Sequence, residues 1–288
     1  IKVDGDNGYA PAAIEAGVTH PGEVFNAHSG FYVTPKGRRL RDAHGYDRLT
    51  CEQAMIKSSN IVMAIIGQRL DARTMFDAVG AFGFGRVANS GLPGEAPGLV
   101  HPLKNWTHYS VTSIPMGQEI GVTALQMVRA FSVFANDGML VSPIVQLPAV
   151  SGDGGPVRVY ESVLSARTAT LTRSVLRKVV TDGTGRKANS PLYSLWGKTG
   201  TAQIASPDGR GYLSDQYVAS FIAGAPYEEP KLIVGCFIHR PDPAKEYYGG
   251  RVSAPVVRNV MEQGLAYLGV EPEDPDRQVE LSILAEGN

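Results

Sequence analysis

Apolar residues recur at helical spacing through the first half of the chain, from about residue 50 to residue 140. The segment Thr50-Cys51-Glu52-Gln53 has the form of a capping box, in which the threonine accepts from an early backbone N–H and the glutamine reaches back. The pattern predicts three successive helices. The first is expected to reach about Lys57, and the second to run from about Asn60 to Leu70. The third is expected to run from a cap at Asp71 to Gly80 or Gly83.

A second capping box, Thr123-Ala124-Leu125-Gln126, predicts a further helix that Asp137-Gly138 ends. The apolar residues at helical spacing within it are Leu125, Val128, Phe131 and Ala135. Two later helices are also expected. One begins at Ser165 and reaches about Thr181, and the other begins at Ser253-Ala254-Pro255 and runs through Leu268.

Strand patterns cluster late in the chain. The expected strands are Ser194–Ala205, Val218–Pro226 and Lys231–Arg240, the last two joined by a turn over residues 227–230. The apolar run from Leu232 to Ile238 indicates a strand covered on both faces, so helices should pack on the sheet. Residues 141–164, rich in Pro, Gly and Ser, are interpreted as a connector, and the acidic tail after Gly269 as a loose segment.

Composition excludes several classes of protein. The 288 residues have a net charge of -1 and 43% hydrophobic residues, which argues against disorder and gives no indication of nucleic-acid binding. Neither an apolar run of membrane-spanning length nor a signal peptide is found in the sequence. The two cysteines, Cys51 and Cys236, are interpreted as buried free thiols, and the six histidines show no metal-ligand spacing.

The segment Lys198-Thr199-Gly200-Thr201 is the sharpest chemical signal and falls on a predicted strand. A lysine on an edge strand can present its charge to a carboxylate, and the hydroxyl of Thr199 or Thr201 can bond the same group. Gly200 lets a ligand backbone approach closely, and a strand N–H can form half of an oxyanion hole. A glycine-containing strand with a solvated lysine is the alternative.

The second signal is Ser58-Ser59-Asn60, between two predicted helices. A Ser-x-Asn on a short turn can point a hydroxyl and an amide into one cleft. On its own, the motif is better explained by ordinary helix capping by serine and asparagine.

Together, the two motifs match in order and position two of the three used by penicillin-binding proteins and class A β-lactamases. The sequence resembles the class B, monofunctional penicillin-binding proteins of division or elongation type from about Ala12 to Val270. The further matching segments are Phe82-Gly83-Phe84-Gly85, residues 116–123, Gly183-Thr184-Gly185, residues 197–203, and Tyr247-Tyr248-Gly249-Gly250 ahead of Ser253-Ala254-Pro255.

The resemblance implies a serine DD-peptidase or β-lactamase-like α/β fold, with an antiparallel sheet flanked by helices and a mainly helical subdomain over about 50–140. It implies a transpeptidase domain over 1–270 and a polar tail over 271–288. It also implies a location outside the cytoplasmic membrane, with a parent protein anchored by an N-terminal transmembrane helix that is not in this chain. Other cell-wall synthesis proteins are the expected macromolecular partners.

The chemistry implied by the resemblance is acyl transfer. A serine attacks the D-Ala-D-Ala carbonyl of a peptidoglycan stem peptide, D-alanine leaves, and the amine of a second peptide resolves the acyl-enzyme. β-Lactams acylate the same serine, and no metal or organic cofactor is needed. The implied roles are proton transfer to the leaving group by Ser58, amide binding by Asn60, carboxylate binding by Lys198 and Thr199, and an oxyanion-hole N–H from Thr201.

The third motif, Ser-x-x-Lys, is absent: no serine stands three residues before any lysine of the sequence. Tyr9-Ala10-Pro11 resembles the start of the family segment that carries this motif, and the residues from Ala12 to Val18 resemble its end. A block of roughly ten residues is therefore inferred to be missing between Pro11 and Ala12. A turn leading into an unrelated helix is the alternative.

Three functions stay open at this point. The first is a transpeptidase domain that is competent in its parent protein. The second is a non-catalytic scaffold of the wall-synthesis machinery, and the third is a β-lactamase or β-lactam sensor. The joint presence of Ser58, Asn60 and Lys198 favours the first.

Overall fold

The computed structural model describes residues 9–145, 160–206 and 211–273. The chain forms two compact units, Ile1–Thr172 and Arg173–Asn288. Within the described ranges, no helix is long and apolar enough to cross a membrane. The expected loose tail lies largely beyond residue 273, outside the described residues.

The first unit combines helices with short antiparallel strand pairs. Its helices are α1 (Tyr9–Glu15), α2 (Cys51–Lys57), α3 (Asn60–Arg69), α4 (Ala72–Ala81), α5 (Ser110–Ser113) and α6 (Ala124–Ser132), and α7 (Ala166–Thr181) contains the boundary between the units. Its strands are β1 (Val24–Asn26) with β4 (Arg48–Thr50), β2 (Phe31–Val33) with β3 (Arg39–Arg41), β5 (Leu99–Val100) with β6 (Ile120–Gly121), and β7 (Met139–Val141) with β8 (Tyr160–Ser162).

Both predicted capping boxes are confirmed. Thr50 Oγ1 accepts from Gln53 N at 3.0 Å, and Thr50 N donates to Gln53 Oε1 at 2.9 Å. Thr123 and Gln126 make the same reciprocal pair at 3.1 and 2.8 Å. These bonds satisfy N–H groups that a helix start otherwise leaves without partners. The sequence signal therefore fixes both helix starts.

The strand pair β7–β8 corrects the interpretation of residues 141–164 as a plain connector. Met139 pairs with Ser162 and Val141 with Tyr160, so both ends of that stretch belong to one antiparallel strand pair. Residues 146–159 lie outside the described ranges. Three-residue strands are too short for a period-2 pattern to stand out from the background, which is why the sequence did not reveal them.

Helix α3 forms the centre of the first unit. Its residues from Ile61 to Ala64 are all buried, as are Ile66 and Gly67. It packs against α1, α5 and the 3-10 turn Ile114–Met116. A Cβ built on Gly67 would lie 2.3 Å from the Val111 carbonyl oxygen. Glycine is thus required for the close approach of the α5 segment to α3.

The second unit is built on a three-stranded antiparallel sheet in the order β11 (Leu232–His239), β10 (Tyr212–Ala225), β9 (Trp196–Ala205). Helix α9 (Ala254–Tyr267) follows the short α8 (Gly249–Val252) and packs on β10 and β11. Its buried residues Val257, Met261 and Leu265 join Phe221 of β10 in one core. The predicted sheet, its hairpin and its helical cover are confirmed.

Two burial predictions are wrong. The strand covered on both faces is the central β10, whose residues from Val218 to Ala225 are all buried. β11 is an edge strand of half-buried residues, because it has one neighbouring strand within the described residues. Cys236 lies on that edge strand and is partly exposed, whereas Cys51 is buried as predicted; neither forms a disulfide.

The β2–β3 hairpin anchors the start of α3 through Asp42, which directly follows β3. Asp42 Oδ2 accepts from Ser59 Oγ at 2.6 Å, and Asp42 Oδ1 accepts from Ile61 N at 3.0 Å. Burial raises the pKa of the Asp42 carboxyl, and the bonds from Ser59 and from the backbone of Ile61 and Asn60 oppose that rise. A partly desolvated carboxylate therefore holds the turn between α2 and α3.

Gly67→Ala and Gly80→Ala form a matched pair with opposite expected effects. The new Cβ at Gly67 would meet Val111 O at 2.3 Å and Pro115 Cγ at 2.4 Å, whereas nothing lies within 4 Å at Gly80. We expect Gly67→Ala to lower the free energy of unfolding by about 1–3 kcal/mol. Gly80→Ala should raise it by up to about 1 kcal/mol, since alanine is the better helix former. Urea denaturation measures both, and equal effects would contradict the packing of α3.

The raised pKa of Asp42 predicts a pH-dependent stability difference between the wild type and Asp42→Asn. Protonation of Asp42 favours the folded state, so its contribution is complete below the unfolded pKa of about 3.9 and is lost as pH rises through the folded pKa. The free energy of unfolding of the wild type, relative to the variant, should therefore fall as pH rises, when measured by urea denaturation.

Asp71→Asn is the control. Hydrogen bonds from Thr74 lower the pKa of Asp71, so its contribution is present above the unfolded pKa and is lost as pH falls through the folded pKa. The wild type should gain stability relative to Asp71→Asn as pH rises over the acid range. If the stability of the wild type relative to Asp42→Asn and relative to Asp71→Asn changed in the same direction with pH, the desolvation of Asp42 would be refuted.

Candidate active site

The Ser58-Ser59-Asn60 turn separates α2 from α3 by only two residues. Ser58 adopts the left-handed conformation (φ 55°, ψ 51°), which lets the chain reverse direction at once. Ser58 is partly exposed and Asn60 is exposed, whereas Ser59 is only 1% exposed. The outer two residues of the motif therefore face outward, and the middle one faces the core of the first unit.

Ser58 ends α2 as its C-cap, with its backbone N–H bonded to Ala54 O and Met55 O, and Ser59 begins α3 as its N-cap. Ser59 Oγ accepts from Val62 N at 3.2 Å and donates to Asp42. Asn60 Nδ2 donates to Arg41 O at 3.2 Å, which orients the amide group. Ordinary N-capping therefore accounts for the Ser59 side chain, whereas the side chains of Ser58 and Asn60 lie toward the outside.

In the second unit, Lys198, Thr199, Gly200 and Thr201 lie on β9, an edge strand within the described residues. Their partners on β10 are Ile222, Phe221, Ser220 and Ala219, respectively. Lys198 is only 2% exposed, so the alternative of a solvated lysine is wrong. Removing an ammonium group from water is costly unless polar groups compensate it, and Lys198 Nζ donates to Thr199 O at 3.3 Å.

The hydroxyls of the two threonines of β9 form hydrogen bonds with other segments of the second unit. Because side chains alternate along a strand, Thr199 and Thr201 share one face of the sheet. Thr199 Oγ1 lies 2.7 Å from Thr184 Oγ1, in the Gly183-Thr184-Gly185 turn after α7. Thr201 Oγ1 accepts from Gly249 N at 3.0 Å.

Glycines at 249 and 250 let the start of α8 press against the strands. A Cβ on Gly249 would lie 2.2 Å from Ser220 O and 2.3 Å from Gly200 O. A Cβ on Gly250 would lie 2.2 Å from Thr184 O. The Tyr-Tyr-Gly-Gly segment therefore has a steric reason for both glycines, and its backbone contacts β9 and β10 directly.

The two tyrosines of this segment form a stack with Tyr217 of β10. Tyr247 stacks on Tyr217 with centroids 4.4 Å apart, and on Tyr248 with centroids 4.5 Å apart. A hydrogen bond with Tyr247, followed by burial, raises the pKa of the Tyr248 hydroxyl. The stack gives the second unit a partly exposed aromatic surface next to the strand that carries Lys198.

Two residues with site contacts were missed by sequence reasoning. Thr184 appeared only as part of a family-like segment, and its bond to Thr199 joins positions far apart in sequence. Asp42 carried no local signal, because it follows a three-residue strand and acts on a turn seventeen positions later. Both follow from tertiary contacts that a single sequence does not display.

The proposed join at Pro11 and Ala12 lies inside helix α1, where the two residues are consecutive. Ala10 and Ala13 are fully buried, and α1 packs on α3 and α4. Neither Ser58 nor any other serine of the chain stands three residues before a lysine. Among the described residues, no group of three His, Cys, Asp or Glu side chains could hold a metal ion.

Comparison with known proteins shows the family. The model of the penicillin binding protein transpeptidase domain matches residues 9–262. Penicillin-binding protein PbpB of Mycolicibacterium smegmatis is 32% identical over 289 residues, with 96% of this chain and 44% of that protein covered. The probable peptidoglycan D,D-transpeptidase PbpC of Pseudomonas aeruginosa is 32% identical over 244 residues, with 84% and 42% covered. The chain thus spans less than half the length of these relatives.

The comparison with solved structures identifies the same family. Penicillin binding protein 3 of Mycobacterium tuberculosis, complexed with aztreonam, has a TM-score of 0.84 at 31% identity and covers 96% of this chain and 64% of that chain. The apo transpeptidase domain of Burkholderia pseudomallei penicillin-binding protein 3 has a TM-score of 0.83 at 29% identity, with 95% and 81% covered. The serine DD-peptidase fold expected from the two motifs is confirmed. The chain belongs to the penicillin-binding protein transpeptidase domain family.

Proposed function

We propose that the chain is the D,D-transpeptidase domain of a peptidoglycan-synthesising penicillin-binding protein and binds D-Ala-D-Ala stem peptides and β-lactams. The observation that carries the proposal is the burial of Lys198 beside Thr199 on a glycine-containing edge strand. A desolvated ammonium with an adjacent hydroxyl recognises a carboxylate, because charge-assisted hydrogen bonds strengthen where water is excluded.

The strand supplies the remaining elements of carboxylate recognition. Thr199 and Thr201 project their hydroxyls to one face, and Gly200 between them presents no side chain to an approaching ligand backbone. In the proposed complex, Lys198 and Thr199 hold the terminal carboxylate of the peptide. The Thr201 N–H serves as an oxyanion-hole donor for the carbonyl that is attacked.

Ser58 and Asn60 carry the other half of the proposed chemistry. Ser58 relays a proton to the leaving D-alanine nitrogen, and Asn60 bonds the substrate amide. Their support is the outward placement of both residues around the buried anchor Ser59.

The names of relatives agree with this assignment. The P. aeruginosa relative is named a probable peptidoglycan D,D-transpeptidase, and solved M. tuberculosis relatives hold aztreonam and ampicillin. The substrate of such enzymes is the cell wall, so we place the parent protein outside the cytoplasmic membrane, anchored by an N-terminal helix and working with other cell-wall proteins. A division or an elongation role fits equally.

Acyl transfer in this family uses the serine of the Ser-x-x-Lys motif, which the 288 residues lack. We infer that the competent form carries a Ser-x-x-Lys segment of roughly ten residues between Pro11 and Ala12. The oxygen of that serine forms a bond to the peptide carbonyl carbon, and its proton passes to a base. The peptide bond to D-alanine then breaks. Without that segment, the chain binds its ligands non-covalently.

Intact mass spectrometry tests the position of the missing segment. The 30.8 kDa chain should gain no mass on incubation with a β-lactam. A variant with the corresponding segment of the M. smegmatis relative inserted between Pro11 and Ala12 should gain one β-lactam. That adduct should persist, since rapid loss marks a β-lactamase. An adduct on the unmodified chain would show a different nucleophile, and an unreactive insertion variant would favour the scaffold alternative.

Lys198→Met tests carboxylate recognition. Methionine replaces the buried ammonium with an apolar chain of similar length, so the fold should survive while an N-acetylated tripeptide ending in D-Ala-D-Ala binds at least about tenfold more weakly. Titration followed by NMR gives the dissociation constants. Lys231→Met, at an exposed lysine of the β10–β11 turn, is the control and should bind like the wild type. Equal affinities of wild type and Lys198→Met would refute the proposed ligand site.

A further inference from the structure

The hydroxyl groups of Thr184 and Thr199 lie 2.7 Å apart, a full-strength O–H···O hydrogen bond in which either oxygen could be the donor. Thr199 is only 7% exposed, whereas Thr184 is exposed. Thr199 has a role in the proposed function, whereas Thr184 has none there.

The direction of this bond decides what Thr199 can do. A threonine hydroxyl has one proton to donate and two lone pairs that accept. If Thr199 donates to Thr184, its proton is not available for a ligand. If Thr184 donates to Thr199, the Thr199 proton stays available for a carboxylate. A carboxylate at Thr199 only accepts, so it selects the second arrangement.

The turn that carries Thr184 is fixed by close packing. Gly183 N and Gly185 N both donate to Val179 O of α7, at 3.2 and 3.0 Å. A Cβ on Gly185 would lie 2.9 Å from the Phe221 ring, and a Cβ on Gly250 would lie 2.2 Å from Thr184 O. The backbone that carries Thr184 is therefore fixed by contacts on both sides, which places the residue within hydrogen-bonding reach of Thr199.

We propose that Thr184 is a positioning residue that donates its hydroxyl proton to Thr199 and so directs the Thr199 proton at the carboxylate of the ligand. The inference rests on the proposed function, because it assigns to Thr199 a carboxylate ligand. The row Thr184–Thr199–carboxylate is then a chain of hydrogen bonds in one direction, in which each bond polarises the next.

Thr184→Val removes the hydroxyl at nearly constant volume and at an exposed position, so the fold should be retained. The N-acetylated D-Ala-D-Ala tripeptide should bind about 3- to 10-fold more weakly, the loss expected for one hydrogen bond. Thr184→Ser keeps the donor and should restore binding. Thr181→Val, at a threonine near the end of α7 that bonds Asp182 instead, should bind like the wild type.

A double-mutant cycle separates positioning from a general structural effect. In a Thr199→Val background, Thr184→Val should have no further effect on the dissociation constant, because the proton it directs is gone. Additive losses, or unchanged binding by Thr184→Val alone, would overturn the inference. If Thr199→Val weakens binding while Thr184→Val does not, only the inference fails. If neither variant differs from the wild type, the proposed function fails as well.

Discussion

The buried ammonium group of a lysine on an edge strand constrains the position of the backbone around it. Lys198 is almost fully buried, and its charge lies near the Thr199 carbonyl of its own strand. Such a group is stable only where the surrounding backbone is held at fixed positions, because a small shift leaves a charge without partners in a poorly solvated place. The second unit meets this demand through β10, whose eight buried residues from Val218 onward form the rigid centre of the sheet.

In the first unit, hydrogen-bonded polar groups fix the backbone of the Ser-Ser-Asn turn. This turn must present two polar side chains outward while the backbone reverses in two residues. The buried Ser59 and the carboxylate of Asp42 hold that backbone, together with the C-cap bonds of Ser58 N to α2 and the bond from Asn60 Nδ2 to Arg41 O. In the proposed site, the side chain that anchors the turn is thus that of Ser59, and the side chains assigned to the ligand are those of Ser58 and Asn60.

The sequence predicts this fold wherever local chemistry determines the outcome. The capping boxes at Thr50 and Thr123 place two helix starts because their bonds form within four residues. The buried face of α6 was less predictable. It includes Gln126 and Arg129, whose side chains bond distant backbone carbonyls, while Leu125 and Val128 stay partly exposed. Hydrophobic periodicity alone does not identify a polar residue that tertiary hydrogen bonds bury.

The same distinction applies to the site. The Lys-Thr-Gly and Ser-x-Asn motifs are visible as letters, but their partners Thr184 and Asp42 become visible only in three dimensions. The bond from Gly249 N to Thr201 Oγ1 has a consequence of its own. It occupies one of the two lone pairs on the Thr201 oxygen, so that hydroxyl has fewer acceptor sites left for an approaching donor than it would have without the bond. Backbone packing around Gly249 therefore sets the hydrogen-bonding capacity of a side chain on the strand that carries the Lys-Thr-Gly motif.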